Sequence, residues 1–418
     1  MILVSYKSSI CFSLFFIFFT ISCSSQQKEN NTKSSSVAID QDTIQPILTG
    51  ADQLNLYLPK IKDKRIAVVA NQTSIFSKNH THLVDSLKSL GVDIKKVFSP
   101  EHGFRGDASA GEKVSSGKDI KTGLPIVSLY GKHKKPTRED LNGVDVVIFD
   151  IQDVGARFYT YISTMHYVME ACAENGKALI ILDRPNPNGF YVDGPILAEK
   201  FKSFVGMHAI PVVHGLTVGE LAQMIIGENW LEAKASFLLT IINCKNYSHK
   251  DYYELPIAPS PNLPNMASIY AYPSLCFFEG TDVSIGRGTE KPFQILGSPI
   301  LSSNEFSFTP TELPHAKNPK HEGELCKGYD VAHFSSFYFK ESKQLHWYWL
   351  LNSVEEYKKK NETFFTRKNF FDLLAGTNQL RELLTKNATL KEIRKSYLKE
   401  LEEYKVMRRK YLLYEDFE

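Results

Sequence analysis

The chain has little of what usually makes a cofactor, metal or redox site legible. Only six cysteines occur in 418 residues. Those beyond the N-terminal region, Cys172, Cys244, Cys276 and Cys326, are widely spaced with no Cys-x-x-Cys pair, which argues against a zinc ribbon or dithiol centre. No Gly-x-Gly-x-x-Gly follows the first strand-like segment and no Gly-Lys-Ser/Thr occurs, so nucleotide phosphates are disfavoured. A Gly-x-Ser-x-Gly elbow is also missing, which speaks against an α/β-hydrolase. His80 and His82 stand near Asp85 at a polar helix start, but without a third histidine nearby no metal is expected. Charge is nearly balanced at +2, with 43% hydrophobic and 23% charged residues, so nothing calls for nucleic acid or an acidic surface. The apolar run Ile10 to Ile21 is too short to span a bilayer as a helix.

That run, preceded by Lys7, has the charge-then-apolar layout of a secretory signal. It ends at Ser22-Cys23-Ser24-Ser25, which resembles the lipobox of bacterial lipoproteins, with Cys23 as the lipidated residue. Residues 1–22 are thus expected to be a signal peptide and 23–45 a polar, disordered tether. The expected place is the cell envelope, with a lipid anchor in a bacterial membrane. The remaining length suits two domains, at 46–233 and 234–418.

From Ile47 onward strands and helices alternate. Strands are expected at Arg65 to Ala70, Ile94 to Phe98, Pro125 to Leu129, Val144 to Phe149, Ala178 to Leu182 and Ala209 to Val213. Helices are expected at His82 to Leu90 and Phe158 to Asn175, and after Thr217. Parallel strands joined by right-handed crossovers put their carboxyl ends on one edge. Asn71, Glu101, Arg105, Tyr130, Asp150, Gln152, Asp153, Asp183, Arg184 and His214 follow such ends, and Arg157 lies close by. They are expected to share one crevice, although a few residues of this kind only cap helices. The strongest stretch is Ser99-Pro100-Glu101-His102-Gly103-Phe104-Arg105-Gly106, which sets a carboxylic acid, an imidazole and a guanidinium just past a strand. Carboxylates do acid and base work, arginines bind acidic substituents and aromatics stack on sugars, the set that glycoside cleavage requires.

A second informative stretch runs from Pro259 to Phe293. Glycines around Arg287 let the backbone approach a ligand, and Glu279 is a carboxylate able to enter the crevice from the other domain. The tail is helical, with a break at Gly376 and a capping box at Thr389 opening a long helix through Arg409.

Asn71-Gln72-Thr73, Glu101-His102-Gly103-Phe104-Arg105-Gly106, Ser128-Leu129-Tyr130-Gly131, Asp150-Ile151-Gln152-Asp153-Val154-Gly155-Ala156-Arg157, Asp183-Arg184-Pro185-Asn186-Pro187 and Phe278-Glu279-Gly280-Thr281 closely resemble the exo-β-N-acetylmuramidase NamZ family, glycoside hydrolase family 171. The resemblance runs from about Ile47 to Tyr414. It implies an α/β fold: a Rossmann-like parallel-sheet domain with a second, smaller α/β domain, and the site in the cleft between them. It implies release of N-acetylmuramic acid (MurNAc) from the non-reducing end of peptidoglycan fragments such as MurNAc-GlcNAc, with no cofactor or metal and no protein partner. Carried over by position, Glu101 is the catalytic acid/base and His102 orients it or bonds the sugar. Arg157 or Arg287 takes the lactyl carboxylate, and Tyr130, Tyr159 and Tyr161 pack on the sugar. Asp150, Asp153 and Glu279 are candidates for the second catalytic group. A muropeptide-binding lipoprotein without activity, and a lyase acting on the same substrate, are the alternatives. Cys23→Ser is expected to release the protein from membranes; a variant that still sediments with membranes contradicts lipidation.

Overall fold

The computed structural model describes residues 45–106, 116–303 and 305–418. The expected signal segment, Cys23 and the tether through residue 44 lie outside the described residues. Short apolar runs build the first sheet: β1 Arg65–Ala70, β2 Asp93–Ser99, β3 Gly117–Lys118, β4 Pro125–Ser128, β5 Val146–Asp150, β6 Ala178–Leu182 and β7 Leu239–Ile242. Their order is β3-β4-β2-β1-β5-β6-β7, and every pairing is parallel except that of β3 with β4. Leaving out the short β3, this is the Rossmann strand order, reversing between β1 and β5.

Period-two alternation explains why the central strands are apolar throughout. Ile66, Val68, Ile148, Ile180 and Leu182 share a core with Tyr57 and Ile61 of α1 (Leu54–Ile61) and with Leu83, Val84 and Leu87 of α2 (Leu83–Ser89). Ala67, Val69, Val147, Phe149, Leu179 and Ile181 point the other way. They join Ile162, Met165 and Met169 of α3 (Tyr161–Glu174) and Leu221 and Ile225 of α4 (Val218–Gly227). Thr217 caps α4 as expected, and Glu220 completes a capping box with it.

The last sheet position differs from expectation. Ala209 to Val213 forms no strand, and only Val213 makes isolated bridges, to Ala156 and Asp193. Pro211 interrupts the segment and has no N–H to give a ladder. Leu239–Ile242 pairs with β6 instead, which carries the sheet past the 233/234 boundary.

The second module begins with α5 (Met266–Leu275) and holds a small antiparallel sheet of β8 (Ile295–Ser298), β9 (Phe306–Phe308) and β10 (Cys326–Asp330), ordered β8-β10-β9. Six helices follow: α6 Ala332–Ser342, α7 Tyr348–Lys359, α8 Lys368–Ala375, α9 Gln379–Thr385, α10 Leu390–Lys395 and α11 Leu398–Arg408. Gly376, at φ +74°, separates α8 from α9 as expected. The long helix after Thr389 is instead broken into α10 and α11. Ser396 Oγ bonds back to the Ile393 carbonyl, and Tyr397 turns inward to accept the Trp347 indole N–H at 3.0 Å.

The two modules share one apolar core, in which Phe158 meets Tyr272 and Phe277 edge to face at 5.3 and 5.7 Å. Arg157 joins them with hydrogen bonds. Fully buried, it donates to the carbonyls of Pro195 and Ile210, each at 2.7 Å, and of Leu374 in α8 at 2.9 Å. Arg157→Met removes a donor from three buried carbonyls, of which Ile210 keeps the Leu197 N–H, and a loss of about 3 kcal/mol is expected. A lowered urea midpoint checks it; an unchanged midpoint contradicts the clamp.

Candidate active site

β2 delivers its chain end to a tight turn. After Pro100 and Glu101, His102 and Gly103 adopt φ of +71° and +81°, a conformation costly for a side-chain-bearing residue. The turn buries His102 and leaves the Glu101 carboxylate half-buried, with both residues lining a cavity of about 640 Å³. β4 ends alongside and supplies Tyr130, whose hydroxyl donates to Glu101 Oε1 at 2.9 Å. The Thr160 hydroxyl, just before α3, lies 3.5 Å from Oε2. The carboxylate thus lies beside the start of α3. Tyr161 reaches towards the Glu101 carbonyl at 3.5 Å, and Tyr159 donates to the Pro259 carbonyl at 3.0 Å.

The opposite wall comes from the second module and is cationic. Glu279 accepts from Arg287 Nε at 2.8 Å and Nη2 at 2.7 Å. Burial works to raise the Glu279 carboxyl, but the charges of Arg287, Lys320 and Arg367 hold it below the usual range. Lys320 Nζ donates to the carbonyls of Phe278, Thr281 and Val283, and burial draws it down to about 8. The glycines beside Arg287 serve the chain's own packing: a Cβ on Gly288 would come within 2.6 Å of the Thr311 carbonyl oxygen and of the Pro319 ring. Tyr272 and Phe293 form the aromatic part of the lining.

Seven of the expected residues therefore meet in one cavity: Glu101, His102, Tyr130, Tyr159, Tyr161, Glu279 and Arg287. The others do not line it. Asp150 is fully buried and gripped by Arg184 at 2.7 and 3.0 Å, while Arg184 also bonds the Ile75 carbonyl. Asn71 Oδ1 is taken by the amide and hydroxyl of Thr73. The Gln152 amide is spent on the carbonyls of Asp153 and Pro185. Asp153, pushed up to about 7 by burial, accepts from the Gly155 N–H with His214 3.9 Å away; His214 is itself driven down to about 3 by burial. Asp183, raised by burial to about 6, receives Thr217 and Tyr414. Arg105 turns outward to Asp85 and Asp119 at 2.9 and 2.8 Å, and Arg157 is the clamp described above.

The switch point between β1 and β5 is thus sealed by the protein itself, and the cavity opens beside it, at the ends of β2 and β4. Residues that the sequence reading passed over also line it: Thr160, Asn262, Tyr272, Phe293, Lys320 and Arg367. They lie in turns, helix starts and the second module, where no strand-end pattern points to them. An acid able to give and take a proton thus faces a cationic wall across a sugar-sized hollow, which suits attack on an acetal carrying an anionic substituent.

Comparison with known proteins agrees with this arrangement. The N-terminal domain model of exo-β-N-acetylmuramidase NamZ matches residues 66–267 and the C-terminal one residues 270–414. The peptidoglycan β-N-acetylmuramidase NamZ of Bacillus subtilis (strain 168) is 37% identical over 415 residues, covering 94% of this chain and 95% of the relative. A crystal structure of a DUF1343 family protein from Bacteroides fragilis NCTC 9343 superposes with a TM-score of 0.81 at 44% identity, over 89% of this chain and 100% of the other. A second from that organism gives 0.75 at 29% identity, over 88% and 99%. The two matched parts meet at the start of α5, where the second module begins. On these grounds the chain belongs to the exo-β-N-acetylmuramidase NamZ family.

Proposed function

We propose that the chain is an exo-acting glycoside hydrolase that releases MurNAc from the non-reducing end of peptidoglycan fragments. The observation that carries this is Glu101, held by Tyr130 in a cavity whose far wall is cationic. Family membership and the Bacillus subtilis relative supply the substrate class.

In this reading Glu101 gives its proton to the glycosidic oxygen as the C–O bond breaks. Its carboxylate then accepts a proton from the water that completes hydrolysis. Tyr130 donates to Oε1 and the Thr160 hydroxyl lies beside Oε2, so the two hydroxyls orient the carboxylate. Tyr159, Tyr161 and Tyr272 supply aromatic wall for the sugar. Glu279, kept ionised beside Arg287, is unsuited to donate a proton and instead orients that guanidinium. The sequence also supports attachment to the cell envelope through a lipid on Cys23.

Glu101→Gln is expected to abolish turnover while leaving sugar affinity nearly intact; retained activity removes Glu101 from the mechanism. Mass spectrometry of digested MurNAc-GlcNAc is expected to show saturated MurNAc. A fragment lighter by one water would indicate a lyase, and an intact disaccharide a binding protein. Tyr130→Phe removes one charge-assisted hydrogen bond, and kcat is expected to fall about tenfold with KM little changed. An unaltered kcat contradicts the positioning role.

A further inference from the structure

The cationic wall holds more positive charge than its acidic partner balances, and the cations are not equivalent. Arg287 commits Nε and Nη2 to Glu279, so its charge is largely met within the protein. The Lys320 ammonium faces three backbone carbonyls and has no donor to spare. Arg367 differs: among the described residues its guanidinium makes no ion pair and no hydrogen bond, and it lies over the Phe370 ring at 4.3 Å.

Its backbone is nonetheless fixed. The Arg367 N–H donates to the Gly280 carbonyl at 3.0 Å, and its own carbonyl accepts from Phe371 at 3.0 Å. That first bond seats Arg367 against the residue next to Glu279. The approach is too close for a side chain, since a Cβ on Gly280 would fall 2.8 Å from the Phe371 backbone. Arg367 also borders a second hollow formed by residues 365–370, and the residue is exposed to solvent. A planar fork that is charged, unpaired and held by a short backbone tie is suited to receive a carboxylate with two parallel hydrogen bonds.

We infer that Arg367 is the specificity-determining residue for the lactyl carboxylate that distinguishes muramic acid from glucosamine. Arg287, already neutralised by Glu279, shapes the wall and adds a secondary contact. This rests on the muramidase reading of the cavity and goes beyond it by assigning the anion to a residue outside every motif that carried the family resemblance.

The test compares the wild type with Arg367→Gln and Arg367→Lys. KM and kcat are measured on a chromogenic β-MurNAc glycoside. Calorimetry measures binding of MurNAc and GlcNAc in the Glu101→Gln background, with and without Arg367→Gln. The side chain is exposed, so melting temperatures are expected to be unchanged. Arg367→Gln should raise KM for the MurNAc glycoside about thirtyfold, the effect of losing charge-assisted hydrogen bonds, with kcat changed much less. MurNAc binding should weaken in parallel and GlcNAc binding should hold. Arg367→Lys should recover part of the loss, since it keeps the charge without the fork. An unchanged KM in Arg367→Gln, or equal weakening of both sugars, overturns the assignment while leaving the muramidase reading in place. Failure of the wild type to turn over the MurNAc glycoside overturns both.

Discussion

Every polar group that a parallel sheet gathers at its carboxyl edge must find a partner once it is covered, because an unmet buried hydrogen bond costs more than a made one returns. That constraint sorts the strand ends of this protein. Asp150 is satisfied by Arg184, Asp183 by Thr217 and Tyr414, and the Asn71 Oδ1 by Thr73. Those contacts bind β1, β5 and β6 to the loops, to α4 and to the C-terminal tail. Only at the ends of β2 and β4 does the second module stand back, and there Glu101 and Tyr130 face a cavity. The position proposed as catalytic is the part of the edge that borders this cavity.

The same logic organises the opposite wall. Three backbone carbonyls gather around Lys320, and Glu279 is held against Arg287, so most of the charge there stabilises the fold before any ligand arrives. Arg157, with its three carbonyl partners, ties this wall to the sheet module through α8. Cavity and module docking share residues: Leu374, whose carbonyl takes a hydrogen bond from Arg157, also lines the cavity.

Much of the sheet module was legible because apolar runs with clear stops report strands directly. β1 and β6 fall where the periodicity puts them, and the Thr217 cap is present. Ala209 to Val213 misled because apolar content resembles a strand, whereas the missing N–H of Pro211 decides the pairing. The long C-terminal helix failed for a comparable reason: nothing local announces that Tyr397 will turn inward to meet Trp347. At the site, Glu101 and Tyr130 were readable as strand-end groups, Arg287 as an arginine among glycines and Glu279 as a carboxylate from the other domain, but not that the last two pair with each other. The strand-end rule also collected Asp150, Asp183, Arg184 and His214, because it does not distinguish a group facing a hollow from one satisfied behind it. Thr160, Tyr272 and Arg367 stayed hidden because their place in the cavity comes from module packing.

The most direct measurement is a crystal structure of the Glu101→Gln protein with MurNAc-GlcNAc bound. The account predicts the glycosidic oxygen within about 3 Å of the residue 101 side chain, with the lactyl carboxylate turned towards the Arg287 and Arg367 wall. A disaccharide bound away from residue 101, or with its lactyl group towards Tyr130, would contradict it.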